Sequence, residues 1–235
     1  MQDNLKINNT QLRHTALITM IIDHVGIYFF PEVPAFRIIG RVAFPLYVFF
    51  VVQGYFFTKN FKKYATRLFL LALVSEVPYD LFKHQEIIEF SSQNVIFQLL
   101  AILFFVRCYD HARDLFARFF YVFLFVVIVH LLRFEYQSLG ILYALVFFHT
   151  FQKKVDLFKQ VFLFVALSLV VQFPNTIQAF CFLAIVLLSF YEPVKINEIH
   201  QNKALQLVGK YYYLLYPVQY LVIIAIASLL GVTQC

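Results

Sequence analysis

Long apolar runs separated by short polar segments occupy most of the chain. A helix needs about 20 mainly apolar residues to cross a bilayer. The runs are continuous and do not alternate in polarity, so they predict helices and not strands. Nine candidate spanning helices follow, at about residues 12–30, 35–57, 65–82, 94–108, 117–133, 138–151, 157–173, 175–191 and 211–231.

The composition indicates which solvent these helices face. Hydrophobic residues make up 62% of the chain and charged residues 14%, whereas soluble domains average about 45–50% and about 25%. A soluble chain of this length could not bury so much apolar surface. The sequence therefore predicts an all-α, polytopic transmembrane helical bundle of about nine helices in the cell (plasma) membrane, with the lipid bilayer as its first partner. A single domain over residues 1–235 is the simplest organisation.

The basic residues predict the orientation of the bundle. Nineteen Lys and Arg residues give a formal net charge of +6, and such residues are enriched in cytoplasmic loops. If the N-terminus is inside and the C-terminus outside, all of them fall in cytoplasmic segments except Arg37, Arg41, Lys83 and Arg133. The basic clusters lie between apolar runs and not on one face, so nucleic-acid binding is not predicted.

Several familiar kinds of segment and site are not predicted. Cys108, Cys181 and Cys235 are far apart and show neither a disulfide framework nor a metal spacing. Asp23 and His24 interrupt the first apolar run, which lacks a small-residue cleavage site, so we expect a retained helix and not a signal peptide. No phosphate-binding glycine loop or nucleophile elbow is recognisable.

Ionisable residues lie unusually deep in the first three runs. Charge inside hydrocarbon is costly, so each of these residues is a candidate for function. His24, Arg41 and Glu76 each lie six residues from the external end of their run, which places them about 9 Å below that boundary if the runs are helical. We therefore expect one polar layer. The deep residues are Asp23 and His24 in the first run, Arg37 and Arg41 in the second, and Glu76 and Asp80 in the third.

A polar cavity with a general base is the functional interpretation of this layer. His24 is the best candidate base, because its unperturbed pKa lies near 6.5 and a neighbouring carboxylate can orient the ring. Asp23 is adjacent in sequence but points about 100° away on a helix, so Glu76 is an equally reasonable partner. The structural interpretation is a set of ion pairs that only holds the helices together. The residues alone do not decide between the functional and the structural interpretation.

The first third of the chain resembles the TraX family of membrane proteins. The similar segments occur in the family's order and include a basic loop between the second and third runs. A C-terminal Tyr-rich segment extends the resemblance. The segments are RHTALITMIIDHVG (13–26), GRVAFPLY (40–47), QGY (53–55), TKNFKKYATRL (58–68), ALVSEVPYDL (72–81) and YYYLLYP (211–217).

The resemblance implies an acetyltransferase. The family's named member is the acetylase of conjugative pilin, which modifies the pilin N-terminus, and the family is similar to membrane acyltransferases that use acetyl-CoA. Those enzymes carry a basic residue, ten intervening residues and a histidine on the first helix, a spacing matched here by Arg13 and His24. His24 would be the catalytic base and Arg41 would match the arginine before the second helix. Family members tend to have histidine where this chain has Gln219.

A mechanism follows from the resemblance. Coenzyme A cannot cross the membrane, so its phosphates would dock at the cytoplasmic face, and the acetyl-pantetheine arm would reach His24, about 16 Å further along the first helix from Arg13. His24 would deprotonate an acceptor amine or hydroxyl, oriented by Glu76 or Asp23, and Arg41 would stabilise the oxyanion. The assigned cofactor-binding residues are Arg13, Lys59, Lys62, Lys63 and Arg67, and the assigned acceptor-binding residues are Arg37, Asp80 and Tyr47. No metal is expected.

Two other classes of function remain open. A transporter or proton-coupled permease would also use intramembrane His, Asp, Glu and Arg, although the two halves show no matched pair of broken helices. A non-enzymatic membrane scaffold would use the same charges only for structural pairing. The sequence does not identify the acceptor (a pilin-like N-terminus or a surface glycan), the acyl chain length or the oligomeric state.

Overall fold

The computed structural model describes residues 7–152, 156–171, 176–191 and 203–232, without the side chains of 157–158 and 203–213. Within these residues the chain is helical and has no strand, only isolated bridges. The all-α prediction is confirmed. We label the helices α1 (Asn9–Phe29), α2 (Pro34–Gly40), α3 (Ala43–Phe57), α4 (Phe61–Lys83), α5 (Val95–Asp110), α6 (Leu115–Leu131), α7 (Gln137–Phe151), α8 (Leu157–Val171), a 3-10 helix (Thr176–Cys181), α9 (Phe182–Ser189) and α10 (Lys203–Leu230).

Asparagine and aspartate side chains cap the N-termini of several helices, at points where the sequence changes from polar to apolar. Asn8 and Gln11 form a capping box on α1, in which each side chain accepts the other residue's backbone N–H. The side chains of Asn60, Asn94 and Asp114 accept N–H groups in the first turns of α4, α5 and α6. These groups would otherwise have no partner at a helix start.

The predicted second span is divided in the structure. α2 begins at Pro34, whose fixed φ suits the first turn. The backbone N–H of Arg41 bonds to the carbonyl groups of Arg37 and Ile38, and this turn separates α2 from α3. The last predicted span also differs, because α10 begins at Lys203 and not near residue 211; the added residues include Lys, Ala, Leu and Gln, which are good helix formers.

The chain forms two compact units. The first, which we call the discontinuous unit, contains residues 1–46 and 157–235, and the second, the central unit, contains residues 47–156. In the discontinuous unit α1 packs against α2 and α10, and α8 packs against the 3-10 helix and α9. In the central unit α5 packs against α4, α6 and α7. The prediction of one domain over residues 1–235 stays a prediction.

Much of the outer surface is apolar. On α6 only Phe125 and Val129 are buried, while Phe116 and Phe123 have 81% and 68% of their surface exposed. Among the described residues, the stretch 34–57, which comprises α2, the turn at Arg41 and α3, is the one helical stretch of 18 or more residues that is apolar enough to cross a membrane. The other apolar helices there are 10–17 residues long. The nine spans and the inside position of the N-terminus stay predictions.

Candidate functional site

The discontinuous unit contains a buried ion-pair cluster built from α1 and α2. Asp23 on α1 is 7% exposed. Its Oδ2 accepts from Arg37 Nη1 at 2.9 Å, and Arg41 Nη2 lies 3.3 and 3.4 Å from its two oxygens. Arg41 is 6% exposed, whereas the Arg37 side chain is 33% exposed. Two guanidinium groups thus share one carboxylate, and the more buried of them is Arg41.

Glycine makes this close approach of α1 and α2 feasible. A Cβ atom at Gly40 would overlap the carboxyl group and Cβ of Asp23, and one at Gly26 would overlap the side chain of Phe36. Both glycines are buried. The Gly40-Arg41 pair in the sequence therefore has a physical explanation, because Gly40 leaves the space that the Asp23 carboxylate occupies beside Arg41.

Gln178 joins this cluster from the 3-10 helix. Its Oε1 accepts a hydrogen bond from Arg41 Nη1 at 2.8 Å, and the side chain is 2% exposed. Its Nε2 is buried and has no hydrogen-bond partner among the described residues. Gln178 is not among the site residues predicted from the sequence, because no local signal connects it to a residue 137 positions earlier.

His24 is half-buried beside a pair of tyrosines on α10. Its Nε2 lies 3.4 Å from the hydroxyl of Tyr220, and the two ring centroids are 4.8 Å apart. The Tyr220 hydroxyl donates to the hydroxyl of Tyr216 at 3.0 Å. The neighbouring Gln219 is 7% exposed, and neither of its side-chain amide atoms has a partner among the described residues. The C-terminal helix thus brings Tyr220 into contact with the predicted base.

Glu76 lies in the central unit and is held by the start of α5. Its Oε2 accepts from the side-chain amide of Asn94 and, at 3.4 Å, from the Asn94 backbone N–H. Asn94 is fully buried, donates to the carbonyl of Ala72 at 2.9 Å and caps α5 through Ile96 N. Glu76 Oε1 is buried without a partner among the residues that the structure describes.

Asp80 lies one turn beyond Glu76 on α4. It is 1% exposed, and its Oδ2 accepts from the backbone N–H of Glu89 at 3.0 Å. Its Oδ1 is buried and lacks a hydrogen-bond partner in the described part of the chain. Glu89 itself lies in the loop after α4, where the backbone N–H of Ser91 lowers the pKa of its carboxyl group. Two acidic side chains of α4 therefore each keep one buried oxygen available.

The predicted coenzyme A loop lines a pocket in the central unit. The pocket has a volume of about 730 Å³. Lys59 and Lys62 line it, whereas Lys63 and Arg67 are exposed residues that do not. Arg107 adds a third cation and lies over the Phe61 ring at 4.3 Å. The complete lining is Tyr55, Phe56, Thr58, Lys59, Asn60, Phe61, Lys62, Phe104, Arg107 and Asp110.

The other predicted site residues are divided between the two units. Arg13 lies in the first turns of α1, in the discontinuous unit, with its Nε 3.2 Å from Asn9 Oδ1. Tyr47 is the first residue of the central unit and packs with its ring 6.3 Å from that of Phe50. The cluster with Asp23 is established in the structure, but a single layer that also includes Glu76 stays a prediction.

Comparison with known proteins places the chain in a family. It matches the family described as TraX protein over residues 8–227. It is 31% identical over 83 residues to the probable fimbrial assembly protein FimC, serogroup H1, of Dichelobacter nodosus, a match covering 34% of each chain. It is 39% identical over 66 residues to an uncharacterized protein of Rickettsia prowazekii (strain Madrid E), covering 28% of this chain and 25% of the relative.

These two matches span about a third and a quarter of the relatives' lengths. No solved structure matches the chain. The family match, in contrast, includes α1 with its Asp23 and His24 and most of α10 with Tyr216 and Tyr220. Because that match covers nearly the whole sequence, the chain belongs to the TraX family.

Proposed function

We propose that the chain is a membrane-embedded acetyltransferase that moves an acetyl group from cytoplasmic acetyl-CoA to an amine or hydroxyl of an extracytoplasmic acceptor. Membership of the TraX family supports the proposal. The relative named as a fimbrial assembly protein favours a pilin-like protein as the acceptor, although the match covers 34% of that relative. A surface glycan is the other acceptor class.

The observation that carries the proposal is the arrangement along one turn of α1. His24 contacts Tyr220, while the preceding Asp23 pairs with Arg41. A titratable imidazole and a buried guanidinium are the two groups that acyl transfer requires, one to accept a proton and one to stabilise negative charge on the carbonyl oxygen. A purely structural ion-pair cluster has no need of the histidine beside it.

Each residue then takes a defined role. His24 removes the proton from the acceptor nucleophile as it adds to the thioester carbonyl carbon. Arg41 stabilises the oxygen that becomes negative, and the C–S bond then breaks to release coenzyme A. Asp23 holds Arg41 in place, a role its contacts favour over orienting His24. Glu76 stays a candidate partner of His24, in the other unit.

The pocket beside α4 suits the nucleotide end of coenzyme A. Lys59, Lys62 and Arg107 provide positive charges for phosphate groups, and aromatic rings such as Phe61 and Phe104 provide surfaces for a purine. The donor set therefore fits the cosubstrate. Lys63 and Arg67 of the same unit, and Arg13 of the discontinuous unit, are further proposed contacts of coenzyme A.

The acceptor side is assigned to Arg37, Asp80 and Tyr47. The buried Asp80 carboxylate has an oxygen without a partner among the described residues, and it would attract a protonated amine. A protein N-terminus carries such a group, whereas a glycan hydroxyl does not. This contrast favours a pilin-like protein N-terminus over a glycan as the first acceptor to test.

A membrane location is supported by the exposed apolar surface. Soluble monomers rarely show contiguous apolar patches above a few hundred Å². Here α6 exposes Phe116, Phe119, Phe123 and Leu131, and α10 exposes Leu229. Helices with such surfaces are stable where lipid covers them. We therefore propose a multi-pass protein of the plasma membrane, with the N-terminus inside and the C-terminus outside.

The test is acetyl-CoA turnover by the purified protein in nanodiscs, measured as release of free coenzyme A with and without a peptide bearing a free α-amine. We expect turnover by the wild type and its loss in His24→Ala. His130→Ala is the matched control, because His130 is an exposed histidine on α6 that bonds to the carbonyl of Val126 in its own helix.

The outcomes separate the classes of function. Turnover that survives in His24→Ala contradicts the assigned base. If the wild type shows neither binding nor turnover of acetyl-CoA, the acetyltransferase proposal fails. Ion-dependent uptake into proteoliposomes would then identify a transporter, and the lack of uptake would favour a scaffold.

A further inference from the structure

Gln178 has an unusual position for a glutamine side chain. It is 2% exposed and accepts a 2.8 Å hydrogen bond from Arg41 Nη1 through Oε1. Arg41 is itself 6% exposed and pairs with Asp23. The glutamine amide thus extends the polar cluster from α1 and α2 to the 3-10 helix of the same unit.

The chemistry of Arg41 fixes the orientation of this amide. A guanidinium group has only N–H donors, so it must face the oxygen of Gln178 and not its nitrogen. A flipped amide would oppose two donors, which decides the assignment of oxygen and nitrogen. Gln178 Nε2 is therefore the amide atom that does not face Arg41 Nη1, and it has two N–H groups to donate.

Those N–H groups are not used within the described part of the chain. Nε2 is buried and has no hydrogen-bond partner there. Leaving a buried donor unsatisfied costs about 1–3 kcal/mol. A buried donor beside a guanidinium can bind only an acceptor, and it favours one that carries partial or full negative charge. A cation or another donor would be repelled by the same groups.

We infer that Gln178 is a further catalytic residue, whose side-chain N–H donates to the carbonyl oxygen of the acyl group being transferred. The inference rests on the proposed acetyltransfer. As the acceptor's nitrogen or oxygen adds to the carbonyl carbon, the C=O electron pair moves to the oxygen, and Gln178 and Arg41 stabilise that charge. When the carbonyl re-forms, the C–S bond breaks, and the thiolate leaves and takes up a proton as free coenzyme A. The acceptor's proton goes to His24.

The alternative is that Gln178 only positions Arg41, and one substitution separates the two roles. Gln178→Glu keeps an oxygen for Arg41 but replaces the N–H groups with an acceptor. Because removal of one donor to an oxyanion costs about 10²–10³ in kcat, we expect a kcat about 100-fold lower, with an unchanged KM for acetyl-CoA. A residue that only held Arg41 would tolerate this substitution.

Two further variants control for folding. Gln178→Met keeps the length of the side chain, removes both polar atoms and does not introduce the charge that Gln178→Glu does. Its kcat should fall to a similar extent. Gln98→Met is the matched control, because Gln98 is a fully buried glutamine of the central unit with its own unpartnered Oε1 among the described residues. It should retain the wild-type kcat once the rate is divided by the amount of folded protein, which size-exclusion chromatography measures.

A spectroscopic measurement reports on the hydrogen bond to the thioester without depending on turnover. The thioester C=O stretch of carbonyl-13C acetyl-CoA should shift to lower frequency on binding to the wild type, and Gln178→Met should reduce that shift. Wild-type kcat in both Gln178 variants, or a shift in Gln178→Met as large as that in the wild type, overturns the role of Gln178 alone. A wild type without acetyl-CoA turnover overturns the proposed acetyltransfer, and the role of Gln178 with it.

Discussion

Gly40 lies against the carboxyl group of Asp23, with no space for a Cβ atom between them. Gly40→Ala should therefore displace Asp23 from Arg41, reduce acetyl transfer and destabilise the protein by about 1–3 kcal/mol, the usual effect of overpacking. The measurements are thermal unfolding in detergent and coenzyme A release. Gly54→Ala is the comparison, because its new Cβ would meet mainly the Tyr64 hydroxyl end, at 2.8 Å. Equal loss of activity in both variants would contradict the explanation.

Removing the carboxylate should be more damaging than removing the whole ion pair. Asp23→Asn leaves Arg41, which is 6% exposed, beside a neutral amide. Breaking a buried pair by removing one partner costs about 3–5 kcal/mol, because the other charge stays buried. The double variant Asp23→Asn/Arg41→Gln should recover part of that loss. A double-mutant cycle from thermal unfolding measures it, and strictly additive losses would show that the pair is not coupled.

The hydroxyl beside the predicted base should matter for turnover. Tyr220→Phe removes the group 3.4 Å from His24 Nε2 but keeps the ring packing. A hydrogen bond of about 1.4 kcal/mol corresponds to about a tenfold lower kcat. Tyr216→Phe is the control, because the Tyr216 hydroxyl accepts from Tyr220 and is one bond further from the histidine. If Tyr216→Phe is the more damaging variant, Tyr220 does not act through His24.

Two helix caps allow a test that does not depend on function. Asn60→Ala removes the cap of α4, which costs about 1 kcal/mol. Asn94→Ala removes the cap of α5 and also the hydrogen bonds to Glu76 and to the Ala72 carbonyl. We expect a loss about 2–3 times larger for Asn94→Ala in thermal unfolding, because it leaves a buried carboxylate with fewer donors. Equal losses would mean that the Glu76 contact contributes nothing.

Only some of the basic residues that the sequence assigns to coenzyme A binding line the pocket. Lys59 and Lys62 line the pocket, whereas Lys63 and Arg67 do not. Substituting the first pair by alanine should weaken acetyl-CoA binding by about tenfold per charge, which corresponds to about 1.4 kcal/mol, and leave the KM for the acceptor unchanged. The second pair should have a smaller effect. Isothermal titration with coenzyme A distinguishes them, and the reverse order would move the nucleotide site elsewhere.

Sequence reasoning identified the helices because their apolar runs are long, and it identified Asp23, Arg37 and Arg41 because charge is rare in such runs. The turn at Arg41 was not predictable from apolarity alone, since the flanking residues remain apolar on both sides. The position of Asn94 as a cap was predictable from its place before an apolar run. Local patterns carry this kind of information.

Contacts between distant segments were not accessible in this way. The predicted base contacts Tyr220, and Arg41 donates a hydrogen bond to Gln178. Neither periodicity nor capping signals relate residues that far apart. The charge clusters in the sequence also do not show which basic residues line the pocket, such as Arg107, and which lie on the exposed start of α4, such as Lys63.

The discontinuous unit imposes a delay on its own assembly. Gln178 follows Arg41 by 137 residues and Tyr220 follows His24 by 196. At about 5–20 residues per second, synthesis of the first interval takes on the order of 10 s. During that time α1 and α2 lack the side chains that later complete their polar cluster, whereas the central unit, which ends at residue 156, has its whole sequence before Gln178 is made. A chain that ends at residue 156 would therefore keep the residues that line the pocket but lack Gln178 and Tyr220.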